Sequence, residues 1–468
     1  MFTKYLLAGA EGFEPPNAST KNWCLTTWRR PITLIDFTVL DTTSQIYSYN
    51  WYNGGMYGAN HKHNSRRKKP LLFGSFALVT ATIAVVAFFS SQVNTPAIAK
   101  PAKIIHDKPV VANSTPISIV ATGDWIAHDT INAQAKKTDG SYDYIPMVTE
   151  MRPYLAKSDI RFCNDPILNG GKALGITGYP KFNSPTDFVT DMGKFGCNLV
   201  NTASNHSFDF TQANITASVE AWKSVPNMLA VAGENSSQTE HDAVHYFSVK
   251  GVKFAFVAYT TYINKESPIQ NDYGVNVFTT SFASGQIATA KAAGAKVIVA
   301  SMRWGTEYST TVTAEQQKDA QWLADQGVQI VLGHGSHELQ PVQQLTGSAG
   351  GKTVVWYSLG NFLNTQIPPE TLFNGLAYMT IDPKTYQPSI VGYLPLYVNY
   401  NWTAAQATAQ DTNARTNVHM YLLEKTSQQL INNQQLQTTV AAQQARMTST
   451  LNTYGAPIPL LTSDQAAR

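Results

Sequence analysis

Polar residues that can bind metal ions or transfer protons lie directly after a predicted strand in the segment TASNHSFDF, residues 202–210. Asn205, His206 and Asp209 follow the buried run 196–201. Amide, imidazole and carboxylate groups can bind metals, and the last two also act as general acids and bases. Ligands of open α/β sheets bind at the carboxyl ends of strands, which favours a functional loop here. Taken alone, the segment is equally compatible with a polar turn.

Four further clusters of the same chemical kind follow predicted strands. In chain order they contain Asp124, Asn164 with Asp165, Arg303 with Glu307, and His334 with His337. A single polar residue after a strand is usually a turn residue. Five clusters at strand ends, one of them a Gly-His-x-x-His loop, predict instead one polar centre at the edge of a sheet.

Alternating strand and helix signals must position these clusters. Strand-like runs lie at 117–122, 159–163, 199–202, 228–232, 246–249, 252–258, 297–301, 330–332, 353–359 and 376–381. Helical periodicity occurs at 186–195, 215–224, 281–293 and 314–325. The dipeptide Lys250-Gly251 predicts a hairpin, and 346–353 reads as a hairpin loop rather than a nucleotide-binding loop. This alternation predicts an α/β sandwich with mixed sheets.

Charge is concentrated near the N-terminus. Residues 1–99 contain 9 of the 34 Lys and Arg residues and 4 of the 31 Asp and Glu residues, so residues 100–468 carry a net charge of −2. A nearly neutral body without a recognisable binding motif argues against nucleic acid as a partner.

The N-terminal part contains a predicted membrane anchor. The basic cluster 66–69 precedes Pro70 and the uncharged run 71–89. At about 1.5 Å per residue this run spans roughly 28 Å, close to the hydrocarbon thickness of a bilayer. Basic residues on its N-terminal side predict that this end stays in the cytoplasm and that the rest is extracytoplasmic. A signal peptide cleaved near the Ala-Ile-Ala at 97–99 is the alternative.

These features divide the chain into six predicted segments. Residues 1–55 are a doubtful N-terminal extension that resembles translated non-coding sequence, so we hypothesise that the native chain starts at Met56. A basic cytoplasmic segment (56–69), a transmembrane signal-anchor (70–93) and a linker (94–116) follow. The α/β domain occupies 117–400, and 401–468 form a helical, polar C-terminal tail.

Two cysteines lie near predicted strands of this domain, Cys163 and Cys197. Free cysteine is among the most buried residue types, so the sequence favours two buried free thiols. A disulfide is the alternative if the compartment is oxidising.

The motifs and their order resemble those of the CapA family, bacterial proteins linked to poly-γ-glutamate capsule production. The family's Gly-Asp matches Gly123-Asp124, its Asn-Asn-His loop matches 204–209, its His-Trp-Gly-x-Glu matches 303–307, and its Gly-His-x-x-His matches 333–337. The signature Tyr-Ser-Leu-Gly-Asn-Phe is intact at 357–362. The resemblance covers about 117–397 and implies a metallophosphoesterase-like α/β sandwich, here preceded by one transmembrane helix.

The resemblance also implies a divalent metal ion, held by Asp124, Asn205, His334 and His337. In that arrangement His206 would protonate a leaving group or steady a developing charge, Arg303 would clamp a carboxylate or phosphate, and Glu307 would orient the substrate or a ligand. The alternative for Arg303 is a salt bridge with Glu307 in the wall of the site. Besides Ser204, which replaces the first Asn of the Asn-Asn-His loop, two positions depart from the family pattern. Arg303 stands where the family has His, and Pro166 stands where it usually has Glu, with Asp165 as the candidate replacement. Asn164, Asp165 and Asp209 are therefore further candidates for the site.

Three classes of function are compatible with these residues. The first is a membrane-anchored, extracytoplasmic CapA-like protein in the synthesis, export or processing of an anionic surface polymer of the poly-γ-glutamate type. Other membrane proteins of capsule or envelope synthesis would be its partners. The second class is a metal-dependent phosphoesterase acting on an extracytoplasmic substrate. The third is a non-catalytic relative that binds the polymer or assists its export.

The charge pattern around the anchor predicts the topology of the protein in the membrane. A reporter that is active only in the cytoplasm should be silent when it is fused to the C-terminus. The same reporter fused after residue 69 should be active, which controls for expression. Cytoplasmic activity of the C-terminal fusion would contradict the predicted orientation.

Overall fold

The structure, a computed structural model, describes residues 37–40, 46–52, 55–58, 115–264 and 271–467. The predicted anchor at 70–93 and most of the basic segment and linker beside it lie outside these residues. Among the residues described, no helix is both long and apolar enough to cross a membrane. A small unit within the N-terminal part contains β1 (Phe37–Leu40), β2 (Ile46–Tyr52) and β3 (Gly55–Gly58), paired as an antiparallel sheet.

The larger unit contains the strands and helices that carry the candidate site. Its strands are β4 (Ile117–Trp125), β5 (Ile160–Asn164), β6 (Leu199–Asn201), β7 (Ala230–Ala232), β8 (His245–Val249), β9 (Val252–Thr260), β10 (Val297–Arg303), β11 (Ile330–His334), β12 (Val342–Thr346), β13 (Lys352–Trp356), β14 (Asn361–Leu363), β15 (Phe373–Ile381), β16 (Pro388–Asn401) and β17 (Thr416–Leu422). Its helices are α1 (Asp129–Ala135), α2 (Ile145–Val148), α3 (Arg152–Ala156), α4 (Thr186–Phe195), α5 (Gln212–Lys223), α6 (Gln238–Asp242), α7 (Thr280–Ala292), α8 (Ala314–Asp325), α9 (Ala404–Ala409), α10 (Gln428–Asn433), α11 (Val440–Leu451) and α12 (Ser463–Ala466).

Two mixed sheets form the framework of this unit. In the β4 sheet, β4 to β7 run parallel, β15, β16 and β17 continue from β4 in antiparallel order, and β14 also pairs with β4. In the β10 sheet the order is β12-β13-β11-β10-β9-β8, with parallel strands at its centre and antiparallel pairs at both edges. The predicted α/β sandwich with mixed sheets is confirmed.

Period-two alternation explains how the β10 sheet is covered on both faces. Phe256, Val299 and Leu332 belong to a core shared with the β4 sheet, and the rings of Phe162 and Phe256 lie 6.2 Å apart. The residues that alternate with these three along their strands have side chains on the opposite face of the sheet. They belong to a second core, which also contains residues of α7 and α8. The strands are therefore apolar on both sides, and their polar groups can face solvent only where each strand ends.

Each predicted strand run overlaps an observed strand, and the four predicted helices correspond to α4, α5, α7 and α8. Both predicted hairpins are confirmed, because Val249 pairs with Val252 and β12 pairs with β13 across the loop at 347–351. Residues beyond 400 add β17 to the edge of the β4 sheet and contribute α10 and α11, where the sequence predicted helix.

Glycine is required just before two of the candidate site residues. A Cβ at Gly123 would lie 2.1 Å from the carbonyl oxygen of Gly360, and one at Gly333 would lie 2.1 Å from that of Tyr357. Both distances are far inside van der Waals contact, so neither position accepts a larger residue without a backbone shift. This close approach of chains fixes where the following Asp124 and His334 stand.

Cys163 and Cys197 form a disulfide, with a Cα–Cα distance of 5.8 Å. The prediction of two free thiols was therefore wrong. Cys163 lies on β5, and Cys197 lies two residues before β6. The two strands pair in parallel, with Cys163 opposite Val200. This pairing brings two cysteines that are 34 residues apart within bonding range.

The disulfide should contribute measurably to stability, because it closes a loop of 34 residues in the unfolded chain. Chain-entropy arguments give a contribution of about 3–4 kcal/mol for a loop of this size. The double variant Cys163→Ser/Cys197→Ser should show that loss in free energy of unfolding during denaturant titration. A reductant should destabilise the wild type to the same extent and leave the double variant unchanged. An equal effect of the reductant on both proteins would contradict the assignment.

Candidate functional site at the strand ends

The carboxyl ends of strands from both sheets bring the predicted clusters together. In the β4 sheet, Asp124 pairs in register with Asn164, and Asn164 pairs with Asn201. In the β10 sheet, Arg303 pairs in register with His334. Neighbouring parallel strands therefore present these residues side by side at the same edge.

Asp124 is the hub of the site. Its Oδ1 accepts a hydrogen bond from the Asn164 amide at 2.7 Å and lies 3.4 Å from Nδ1 of His334. Its Oδ2 lies 3.2 Å from Nη1 of Arg303 and 3.3 Å from Nδ1 of His337. Burial alone would raise the pKa of Asp124, but the two imidazoles and the guanidinium outweigh burial and hold the pKa well below its usual range. The carboxylate is thus ionised and shared among four partners.

Arg303 places a buried positive charge at the centre of the site. Its Nε donates to Oδ1 of Asn205 at 3.0 Å, its Nη1 to Oδ2 of Asp124 at 3.2 Å, and its Nη2 to Oε1 of Glu307 at 3.2 Å. Cζ lies 5.9 Å from the centroid of the Tyr262 ring. The predicted substrate clamp needs free N–H groups that face solvent, whereas these contacts direct all three nitrogens to oxygens of the protein.

His206 and Asp209 form a pair at the mouth of the site. Nδ1 of His206 lies 2.6 Å from Oδ2 of Asp209, which also accepts the backbone N–H of Phe182 at 2.8 Å. The amide of Asn264 lies 3.3 Å from the same ring nitrogen. The side chain of His206 is 15% exposed, and that of Asp209 is 3% exposed. A carboxylate on Nδ1 orients the ring and leaves Nε2 for a bound group.

A small cavity opens at this edge, with a volume of about 40 Å³. Its hydrogen-bonding lining includes His128, His206, His337, Tyr179, Tyr308 and Gln366. Tyr308 is 48% exposed and Tyr179 is 72% exposed, so both stand at the mouth. Pockets for whole small molecules occupy roughly 300–1,000 Å³. This cavity is therefore much smaller than a pocket that encloses a whole small molecule.

Two of the residues implied as metal ligands, Asp124 and Asn205, already have hydrogen-bond partners within the protein, whereas neither buried ring nitrogen of His334 makes a hydrogen bond. Oδ1 of Asn205 accepts hydrogen bonds from Arg303 and from the hydroxyl of Ser204, the latter at 3.1 Å, and both oxygens of Asp124 contact donors. Across 115–264 and 271–467, no three or more His, Cys, Asp or Glu side chains are arranged to hold a metal ion. This donor set does not fit the divalent ion that the resemblance implies.

Asp165 lies outside the centre, although it directly follows Asn164. Its Oδ2 accepts hydrogen bonds from the amide of Asn169 at 2.7 Å and from the indole of Trp222 at 2.9 Å. Burial raises the pKa of Asp165 to about 8, so its carboxyl group is largely protonated near neutral pH. Asp165 therefore does not supply the carboxylate that Pro166 lacks.

Three residues of the site were not among the predicted ones. Oδ1 of Asn361 lies 3.0 Å from Nδ1 of His337, and Asn201 donates a hydrogen bond to Asn164. His128 lines the cavity, and burial lowers its pKa to about 3, which keeps the ring neutral. The intact signature at 357–362 contains Asn361 and was the signal that could have identified it. No comparable signal marks Asn201 or His128.

Two curated relatives match part of the chain. The PGA biosynthesis protein CapA of Bacillus subtilis (strain 168) is 28% identical over 169 residues, which cover 36% of this chain and 43% of the relative. The capsule biosynthesis protein CapA of Bacillus anthracis is 26% identical over 177 residues, which cover 36% of this chain and 41% of the relative. The matched region thus spans less than half the length of either relative.

Solved structures and a family model were also compared with the chain. The calcineurin-like phosphoesterase YfkN from Bacillus subtilis aligns over 60% of this chain and 89% of its own, with 14% identity and a TM-score of 0.34. The NAD nucleotidase NadN of Haemophilus influenzae aligns over 60% of this chain and 50% of its own, with 13% identity and a TM-score of 0.37. The model of the bacterial capsule synthesis protein PGA_cap matches residues 118–366, more than half of the chain. The protein therefore belongs to the PGA_cap family of bacterial capsule synthesis proteins.

Proposed function

We propose that this protein acts in capsule synthesis outside the cytoplasm by binding an anionic polymer of the poly-γ-glutamate type. The observation that carries the proposal is the small cavity lined by imidazole, phenol and amide groups, whose wall also contains Arg303 and its partner Glu307. Such groups donate hydrogen bonds to carboxylates. A polymer chain lying across the mouth would present its carboxylates to these groups one at a time.

His206 is the residue to which we assign the contact with a polymer carboxylate. It is partly exposed, and Asp209 holds its Nδ1, so Nε2 is the ring nitrogen left for a ligand. The phenols of Tyr308 and Tyr179 at the mouth supply additional donors. In a processing reaction the same His206–Asp209 pair would move a proton to or from the bond that breaks.

The disulfide supports an extracytoplasmic location, because disulfides form and persist in oxidising compartments. We further propose that residues 70–93 anchor the protein in the cell membrane by a single pass. The relatives are named for PGA and capsule biosynthesis, and membrane proteins of the same process are the partners we propose.

The proposal assigns no step to a divalent ion. The metal-dependent phosphoesterase suggested by the sequence would need Asp124 and Asn205 as free ligands, and both accept hydrogen bonds from Arg303. Polymer binding through the cavity requires no change in those contacts. Of the three predicted classes, we therefore favour the two in which the protein binds the polymer over the phosphoesterase.

Replacing His206 with Ala in the full-length protein should weaken binding of poly-γ-glutamate about tenfold or more. A hydrogen bond to a charged group contributes roughly 1.5–3 kcal/mol, and 1.4 kcal/mol is a factor of ten. Fluorescence anisotropy with labelled polymer measures the affinity, and chromatography of the same polymer after incubation measures processing.

The matched control is His419→Ala, because His419 lies on β17 and pairs with the exposed Glu150 at 3.1 Å. This variant should bind the polymer as the wild type does. Failure of the wild type to bind poly-γ-glutamate, or an equal loss of affinity in both variants, would refute the proposed function. Turnover of a phosphodiester without polymer binding would favour the phosphoesterase class.

A further inference from the structure

We propose that the guanidinium of Arg303 is the resident cation of this centre and takes the place of a divalent ion. The inference rests on contacts among protein side chains, so it holds whichever polymer the cavity accepts. It replaces the metal that the resemblance implies with a charge that is covalently part of the chain.

The partners of the guanidinium are the oxygens that the sequence assigned to a metal or to its immediate surroundings. Nη1 and Nε reach Asp124 and Asn205, two of the four implied ligands. Nη2 reaches Glu307, which was expected to orient a ligand or the substrate. The three distances lie between 3.0 and 3.2 Å, so one planar fork connects three oxygens from three separate segments of the chain.

Arg303 is held firmly enough to act as a fixed component. It is fully buried, and the ring of Tyr262 lies against its guanidinium. The backbone of Arg303 is in a parallel ladder between β9 and β11, opposite Thr260 and His334. Because both the backbone and the guanidinium of Arg303 are held in place, the side chain would lose these contacts if it moved away to admit an ion.

Electrostatics also favour one cation over two at this position. The guanidinium stays protonated at every pH that proteins tolerate. A divalent ion at Asp124 would lie within a few ångströms of that charge in a dry environment, where repulsion is strong. The remaining implied ligands are the imidazoles of His334 and His337, which are neutral donors to a metal and cannot offset the repulsion.

The fixed cation changes what the centre can do. A guanidinium donates hydrogen bonds and polarises an anion, but it has no vacant coordination position and does not bind a water molecule as a hydroxide source. Arg303 instead pairs with Asp124 and holds Glu307 near the cavity mouth. The centre is therefore a preformed wall beneath the polymer-binding cavity, in which one guanidinium joins the two carboxylates of Asp124 and Glu307.

Metal content and thermal unfolding of the full-length protein test this inference directly. After dialysis against Mn²⁺ and then metal-free buffer, the wild type should retain far less than one equivalent of ion. Its Tm should be unchanged by EDTA and by added Mn²⁺. Retention of about one equivalent, or a Tm that EDTA lowers and Mn²⁺ restores, would overturn the inference.

Replacing Arg303 with His removes the guanidinium and offers an imidazole beside Asp124, His334 and His337. This variant should unfold several degrees below the wild type and should regain stability with Mn²⁺ in a saturable manner. The control is Arg446→His, since Arg446 contacts Phe373 and Gln443 rather than the centre. A folded Arg303→His protein that binds no more Mn²⁺ than this control would overturn the inference. If the variant does not fold, the wild-type measurements decide.

None of these measurements uses the polymer. If the wild type does not bind poly-γ-glutamate, the proposed function is refuted, but the identity of the cation is not affected. If EDTA lowers the Tm of a wild type that still binds the polymer, the inference about the cation is refuted and the proposed function stands.

Discussion

The ion pair between Arg303 and Asp124 is the constraint on which the rest of the site depends. Both side chains are completely shielded from solvent. A buried charge that loses its partner costs roughly 3–5 kcal/mol, so the two residues must stay in contact in the folded protein. Arg303 ends β10 and Asp124 lies near the end of β4, which belong to different sheets. The pair therefore fixes the two sheets against each other at the edge where the cavity opens.

The backbone around this pair adopts conformations that only particular residues permit. Gly123 and Gly333 let neighbouring chains approach more closely than a Cβ would allow. His337 has a φ of 63°, which a residue with a Cβ adopts only when its surroundings hold it there. Contacts with Asp124 and Asn361 provide that support. Local strain and close approach thus occur where side chains must converge, as is usual for functional sites.

Much of the fold could be predicted because its strands are apolar on both faces and end in polar clusters. The long β16 and the short β14 were missed, since neither shows a clean alternation bounded by turn residues, and β17 was missed because the residues beyond 400 were predicted to be a helical tail. At the site, residue types identified Asp124 and Arg303 but could not give their pairing, which depends on two strands brought together from different sheets. Asp165 misled for the same reason, because nothing in its sequence neighbourhood indicates that it turns toward Trp222.

The two departures from the family pattern are consistent with a single change in charge. Pro166 removes a carboxylate from the strand end, and Asp165 is protonated and turned away, so the centre has one negative charge fewer. The guanidinium of Arg303 also engages the oxygens of Asp124 and Asn205 that the resemblance assigns to a divalent ion. The guanidinium of Arg303 reaches Asn205 and Glu307 without needing the missing group. The carboxylate that Pro166 cannot supply and the guanidinium that Arg303 adds therefore both make the centre a poorer site for a divalent ion.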